Sequence, residues 1–132
     1  MKSKINYFLL FSVLFIGLTA CHKHKHEDVT ATINLMEPME NDTLAFGTEL
    51  HMHGTIVGTG ELHGYTLSLK NVSTNAILYS DSNTTHQENY AFDEHWVNNV
   101  TDTTLVQVSV DVEIDHDGTK TSKLVNLVCL PN

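Results

Sequence analysis

The sequence predicts an all-β fold, a sandwich of seven strands, and three observations carry that prediction. Apolar and polar residues alternate with period two through most of residues 29–130, the signature of strands with one buried face. Turn-forming Gly, Pro, Asn and Asp recur at short, regular spacing between the alternating runs. No apolar stripe of helical period reaches useful length.

The elements follow in order. An opening strand over 29–36 leads into a turn at Pro38 to Asp42. A second strand covers 49–57 and directs Leu50, Met52 and Ile56 to one side; a third covers 62–70 with Tyr65, Leu67 and Leu69. A short strand over 76–80 precedes one over 86–97, whose inward residues are Tyr90, Phe92 and Trp96. Strands over 104–114 and 119–130 close the chain around Asp117-Gly118, a two-residue type I′ hairpin signal. Counting outward from that turn pairs Asp115 with Lys120, Val112 with Lys123, Val110 with Val125, Val108 with Leu127 and Val106 with Cys129. One face of the hairpin is then apolar, and the other carries Gln107, Ser109, Asp111, Glu113 and Asp115. Seven strands in about 100 residues suggest an immunoglobulin-like or fibronectin-like sandwich.

The segment before the first strand has a different character. Lys2 and Lys4 precede a mostly apolar run of 14 residues, Ile5 to Leu18, and the small residues Thr19 and Ala20. That run is shorter than the about 20 residues of a membrane-spanning helix and fits a signal peptide over 1–20. Leu18-Thr19-Ala20-Cys21 resembles the lipobox of bacterial lipoproteins. The resemblance implies that Cys21 becomes the first residue of the mature chain and carries lipid, palmitate included, so that the membrane is a partner through that residue. Residues 21–28 then read as the lipidated Cys and a polar tether, and 29–132 as the sandwich domain. Lys25-His26-Glu27-Asp28 loosely resembles the export signal of some Gram-negative surface lipoproteins, which points to the outer membrane and toward its surface face. With LTAC, the strand leading into Glu37-Pro38 and the strand spacing, the chain resembles lipid-anchored immunoglobulin-like envelope modules, often in families of unknown biochemical role.

Removing 20 of 132 residues leaves 112, enough for one domain with one core. That part holds five Lys, no Arg and all 16 acidic residues, a formal charge of −11. Such a surface repels nucleic acid, and without Arg it lacks the bidentate fork favoured for phosphate and carboxylate ligands. A cation is the better small partner. Lipidation of Cys21 leaves Cys129 unpaired; its alternation with Val125 and Leu127 predicts burial as a small hydrophobe. Four N-x-S/T sequons, at Asn41, Asn71, Asn83 and Asn99, read as polar turns.

Nine histidines, all outside the apolar leader, are the chemical peculiarity. Imidazole is the commonest metal ligand among side chains, and with carboxylate it suits zinc or copper. His51 and His53 flank Met52 in a strand, so burying Met52 turns both rings to solvent, about 6.6 to 6.8 Å apart at Cα. In a sandwich the 86–97 strand lies beside this one, and burial of Tyr90, Phe92 and Trp96 turns Asp93 and His95 outward on the same face. The expected metal site is therefore His51, His53, His95 and Asp93, with solvated sheet residues as the plain alternative. A second candidate comprises His63, His86 and His116, at connections expected to share the other end of the sandwich, with Glu61, Glu88, Asp115 and Asp117 near in sequence. The tether histidines, 22, 24 and 26, read as part of a soluble spacer.

No enzyme is expected. His51-x-His53 resembles the metal pair of cupins, but Glu61 follows His53 by eight residues, too many for that pattern. There is no G-x-S-x-G, and Cys129 falls in a core strand. Capture or handover of zinc or copper is the first functional expectation. A module binding an envelope protein or glycan is the alternative, with Tyr79 as its candidate exposed aromatic.

Overall fold

A computed structural model describes residues 28–132; Cys21, the tether histidines and the leader lie outside the described residues. The strands are β1 (Ala31–Glu37), β2 (Thr43–Leu44), β3 (Glu49–Leu62), β4 (Gly64–Asn71), β5 (Ile77–Asn83), β6 (Gln87–Val97), β7 (Thr104–Glu113) and β8 (Lys120–Cys129). They form a three-stranded sheet in the order β1-β3-β6 and a five-stranded sheet in the order β2-β8-β7-β4-β5. The fold is an immunoglobulin- or fibronectin-like β-sandwich. Strand β5 pairs with β4, whereas constant-type immunoglobulin domains put the strand at that place in the order, strand D, on the sheet opposite strand C.

Alternation decides what fills the space between the sheets. Leu50, Met52 and Ile56 of β3, Tyr65, Leu67 and Leu69 of β4, and Tyr90 and Phe92 of β6 are buried against Val106, Val108, Val110 and Val112 of β7. From β8 come Val125, Leu127 and Cys129, and burial raises the pKa of the Cys129 thiol. Trp96 packs against this core while partly exposed. Both sheets and the core they share lie within residues 28–132, as an independently folding unit requires.

Three expectations are corrected. The β7–β8 hairpin does not close on a two-residue turn: Glu113 pairs with Lys120, Val110 with Lys123, Val108 with Val125, and Val106 with Leu127. Asp115 Oδ1 accepts from the amides of Asp117 (2.9 Å) and Thr119 (3.0 Å), and this cap holds a longer loop in which Gly118 takes the positive φ. The register differs from the expected one by two residues, and an even shift leaves every side chain on its own face. β3 continues past residue 57 to Leu62, with the register slipping between Val57 and Leu62. Strand β2 was not anticipated, since two residues cannot display alternation. It joins the β8 edge in parallel, where Val128 N donates to Asp42 O (2.9 Å) and Leu130 N to Leu44 O (2.9 Å), covering part of an open sheet edge.

The sequons behave as polar turns where their side chains are engaged. Asn71 Oδ1 accepts from Ser73 N and Thr74 N, Asn83 Oδ1 accepts from Thr85 N, and Asn41 takes φ 68°. Gly54 and Gly64 are among the glycines required by close approach. A Cβ on Gly54 would lie 2.4 Å from Asn34 O and 2.6 Å from Phe92 Cζ, and one on Gly64, at φ +123°, would lie 2.3 Å from Asn83 O. Gly54 thus lets β1 and β6 close on β3 directly beside His53.

Candidate metal centre

Antiparallel pairing of β3 with β6 sets His51 directly opposite His95 and His53 opposite Asp93. Leu50 and Met52 are buried, so the residues between and beside them, Glu49, His51 and His53, project from the outer face of the three-stranded sheet. On β6 the burial of Phe92 does the same for Asp93 and His95. The four expected ligands therefore share one sheet face.

The structure adds a fifth residue. Glu49 Oε1 stands 3.2 Å from His51 Nε2 and 3.1 Å from His95 Nδ1, and the two rings meet edge to face with centroids 4.5 Å apart. Donors bound to one tetrahedral ion at about 2.0 to 2.1 Å stand about 3.3 Å from one another, so the Glu49 oxygen already sits at ligand spacing from both rings. Among the described residues, Glu49, His51 and His95 are the one group whose ligand atoms all lie within 4.8 Å of each other. Asp93 Oδ1 flanks them, 3.7 Å from His95 Nε2 and 3.8 Å from His53 Nδ1, so His53 stands farther out than expected. All of these side chains are roughly half exposed. Glu49 was visible in the sequence as the first member of Glu49-x-His51-x-His53, and inward burial of Leu50 already turned it to the same face, but it lay at the end of the expected strand and outside the expected set. Glu37 is also absent from the expected set: a bulge between Leu35 and Glu37 pairs it with His53, on the side away from Asp93.

The ends of the two strands are held by one buried polar residue. Asn98, fully buried, donates from Nδ2 to Leu44 O (3.1 Å) and Leu130 O (2.9 Å) and accepts at Oδ1 from Val100 N (3.2 Å). Its backbone exchanges bonds with the segment before Glu49: Gly47 N donates to Asn98 O (2.8 Å) and Asn98 N to Thr48 O (2.9 Å). These bonds extend the ladder one step beyond the Glu49–Val97 pair and fix where the carboxylate emerges.

The rings of the second candidate group also come near one another, although their ligand nitrogens do not all lie within 4.8 Å. The β3–β4, β5–β6 and β7–β8 connections share the opposite end of the sandwich, and there the His63 ring lies 3.9 Å from that of His116 and 4.5 Å from that of His86, centroid to centroid. Glu61 Oε1 lies 3.5 Å from His86 Nδ1. The bond from Thr119 holds the Asp115 carboxyl below the usual carboxylate range, and His63 adds to the effect.

Tyr79 departs from its expected role as an exposed aromatic. It packs against the core, and its hydroxyl donates to Glu94 Oε2 (2.5 Å), linking edge strand β5 of one sheet to edge strand β6 of the other. That bond pushes the phenol pKa up to about 12.

No protein-family model matches this chain, and no curated protein does. Among solved structures, the sporulation control protein Spo0M from Bacillus subtilis aligns at a TM-score of 0.50 and 15% identity, over 80% of this chain and 49% of its own. The chain thus spans about half the length of Spo0M. Fibronectin(III)-like modules of CbhA from Clostridium thermocellum align at a TM-score of 0.45 and 10% identity, over 76% of this chain and 96% of the module. At such identity, the likeness to Spo0M is one of fold alone.

Proposed function

We propose that this protein is a non-enzymatic, lipid-anchored protein of the outer membrane that binds a divalent transition cation, zinc or copper, for capture or handover. The ligands are Glu49, His51 and His95, with Asp93 and His53 beside them. One observation carries the reading: three side chains from two strands offer nitrogen and oxygen atoms within 4.8 Å of one another on an open face. Two imidazoles and a carboxylate select against magnesium and calcium, which favour all-oxygen shells. Three protein ligands leave a fourth position free, as exchange of the ion with a partner requires. The charge of the domain, with 16 acidic residues in the whole chain against seven basic ones, raises the local cation concentration. The lipobox-like Leu18-Thr19-Ala20-Cys21 supports the anchor. The rival reading, a module for an envelope protein or glycan, drew on an exposed Tyr79; with that side chain packed and bonded to Glu94, the metal reading is preferred.

Calorimetric titration of residues 28–132 with zinc and with copper tests the site. The expected result is micromolar or tighter binding, with one ion lost in the His51→Ala/His95→Ala variant. Millimolar affinity, or a titration that this variant leaves unchanged, refutes the reading. Imidazole ligates only when neutral, so binding weakens and releases more protons as the pH falls.

A further inference from the structure

We propose that His63, His86 and His116 form a second cation site, at the end of the sandwich remote from Glu49, His51 and His95, which takes a divalent transition cation such as zinc through imidazole nitrogen. The proposal stands on its own residues and does not depend on the sheet-face site. His51 and His63 lie near the two ends of β3, on the order of 30 to 40 Å apart for a strand of that length.

Three imidazoles from positions 63, 86 and 116 meet here because three separate connections converge. His63 is the single residue between β3 and β4, and Gly64 at φ +123° turns the chain sharply after it. His86 immediately precedes β6, and His116 lies in the loop between β7 and β8, closed by the Asp115 cap. The centroid separations are 3.9 Å for His63 and His116, 4.5 Å for His63 and His86, and 5.9 Å for His86 and His116. An ion about 2.0 Å from a ring nitrogen lies about 3 Å from that ring's centroid, so three rings sharing one tetrahedral ion stand about 5 Å apart. The observed separations bracket that value. The ligand nitrogens of the three do not all lie within 4.8 Å of one another, so taking up an ion requires rotation about the side-chain bonds of His86 and His116, both of which are exposed.

The surroundings favour a cation over three bare imidazoles. Glu61 stands 3.5 Å from His86 Nδ1 and is placed either to complete the shell or to orient the ring from behind. His63 also borders a small cleft of about 40 Å³ lined by Asp111, Glu113 and Lys120, whose charges sum to one negative. Three nitrogens and a carboxylate fit zinc, copper or nickel, and disfavour calcium and magnesium, which prefer all-oxygen shells. A bound ion and a proton compete for the same imidazole lone pairs.

The test uses residues 28–132 in the His51→Ala/His95→Ala background, which removes the sheet-face ligands. Calorimetric titration with zinc should still show one bound ion. Adding His86→Ala and His116→Ala should weaken that binding at least about 100-fold, since even partners behind a ligand are worth about 10- to 100-fold in affinity. Both positions lie in exposed connections, and far-ultraviolet circular dichroism verifies that the fold persists. Absence of zinc binding in the His51→Ala/His95→Ala background overturns the proposal, as does binding that survives loss of His86 and His116. Failure of the sheet-face reading registers separately, as a wild-type titration that His51→Ala/His95→Ala does not alter.

Discussion

Replacing Asn98 by Ala should cost the domain a large share of its stability while sparing the sheet-face site. Asn98 is fully buried, and its amide satisfies two carbonyls and one amide: Leu44 O, Leu130 O and Val100 N. Leu44 O keeps a second donor in the substituted protein, because Leu130 N also bonds it at 2.9 Å. Leu130 O and Val100 N lose their side-chain partner. Three lost bonds at a net of about 1 kcal/mol each, with the added desolvation cost of a stranded amide or carbonyl, give a destabilisation of about 3 to 5 kcal/mol. Domains of this size have about 5 to 15 kcal/mol in all, so the variant sits near the edge of folding at moderate temperature. Urea unfolding followed by the fluorescence of Trp96, the single tryptophan, should show a lower midpoint at unchanged slope. The bonds between Asn98 and the Gly47–Thr48 segment are made by backbone atoms and survive in alanine. Zinc affinity, measured at a temperature where the variant is folded, should therefore stay within about tenfold of wild type, a difference of about 1.4 kcal/mol. A destabilisation below about 1 kcal/mol would mean that the buried amide is not what holds β2 and the C-terminal residues together.

Further expectations concern the groups whose titration the fold alters. Because the bond to Glu94 raises the Tyr79 pKa to about 12, the folded state keeps a proton that the unfolded chain has lost above about pH 10. Its stabilising effect is thus full below that pH and disappears as the pH rises through 12; Glu94→Ala should move the tyrosinate absorbance step of Tyr79 toward the ordinary phenol range, and an unmoved step contradicts the assignment. Asp115 is shifted the other way, so its contribution is full above the usual carboxylate range and is lost as the pH falls through its lowered value. Asp115→Asn, which keeps an acceptor at the cap, should flatten the acid limb of a stability–pH curve measured by urea unfolding, and an identical limb would exclude the cap as its source. Gly54→Ala would drive a methyl group into Asn34 O and Phe92, and should destabilise by about 1 to 3 kcal/mol in the same assay; a neutral outcome would show that β1 can shift away.

The parts of this fold written in side-chain parity were legible in the sequence, and those set by backbone geometry were not. Burying Met52 and Phe92 was enough to put His51, His53, Asp93 and His95 on one face, because a strand offers only two facings. The same parity kept Val106 through Val112 and Val125 through Cys129 in the core, although the hairpin register differed by two residues. That register depends on an Asx cap at Asp115, which Asp117-Gly118 alone does not disclose. Glu49 escaped notice because it lies at a strand end, where its pairing with Val97 is continued by backbone bonds between Asn98 and the Gly47–Thr48 segment, contacts distant in sequence. His63, His86 and His116 were traceable only through the strand count, since no local pattern links three loops. Glu37 needed the bulge in β1, a one-residue irregularity with no Gly to mark it.

The two histidine clusters differ in their relation to the proposed anchor, and this yields a last prediction. The first described residues attach at the end of the sandwich that holds His63: Thr30 N donates to Thr59 Oγ1 and Thr59 N to Thr30 O, both at 2.9 Å, and Ala31 pairs with Gly58. If Cys21 carries lipid, the residues from 22 to 28 reach no farther than about 25 Å even when fully extended, at up to about 3.6 Å each. His63, His86 and His116 then lie at the tethered end of the sandwich, and Glu49, His51 and His95 about a strand length farther along it. With the lipidated full chain held on phosphatidylcholine vesicles, acylation of histidines by diethyl pyrocarbonate, read residue by residue in a mass spectrometer, should slow at the end cluster relative to residues 28–132 free in solution. The rates at His51 and His95 should be unchanged. Equal slowing at both clusters would mean that the sandwich lies flat on the surface, and the sheet-face site would lose the outward exposure that capture of an ion requires.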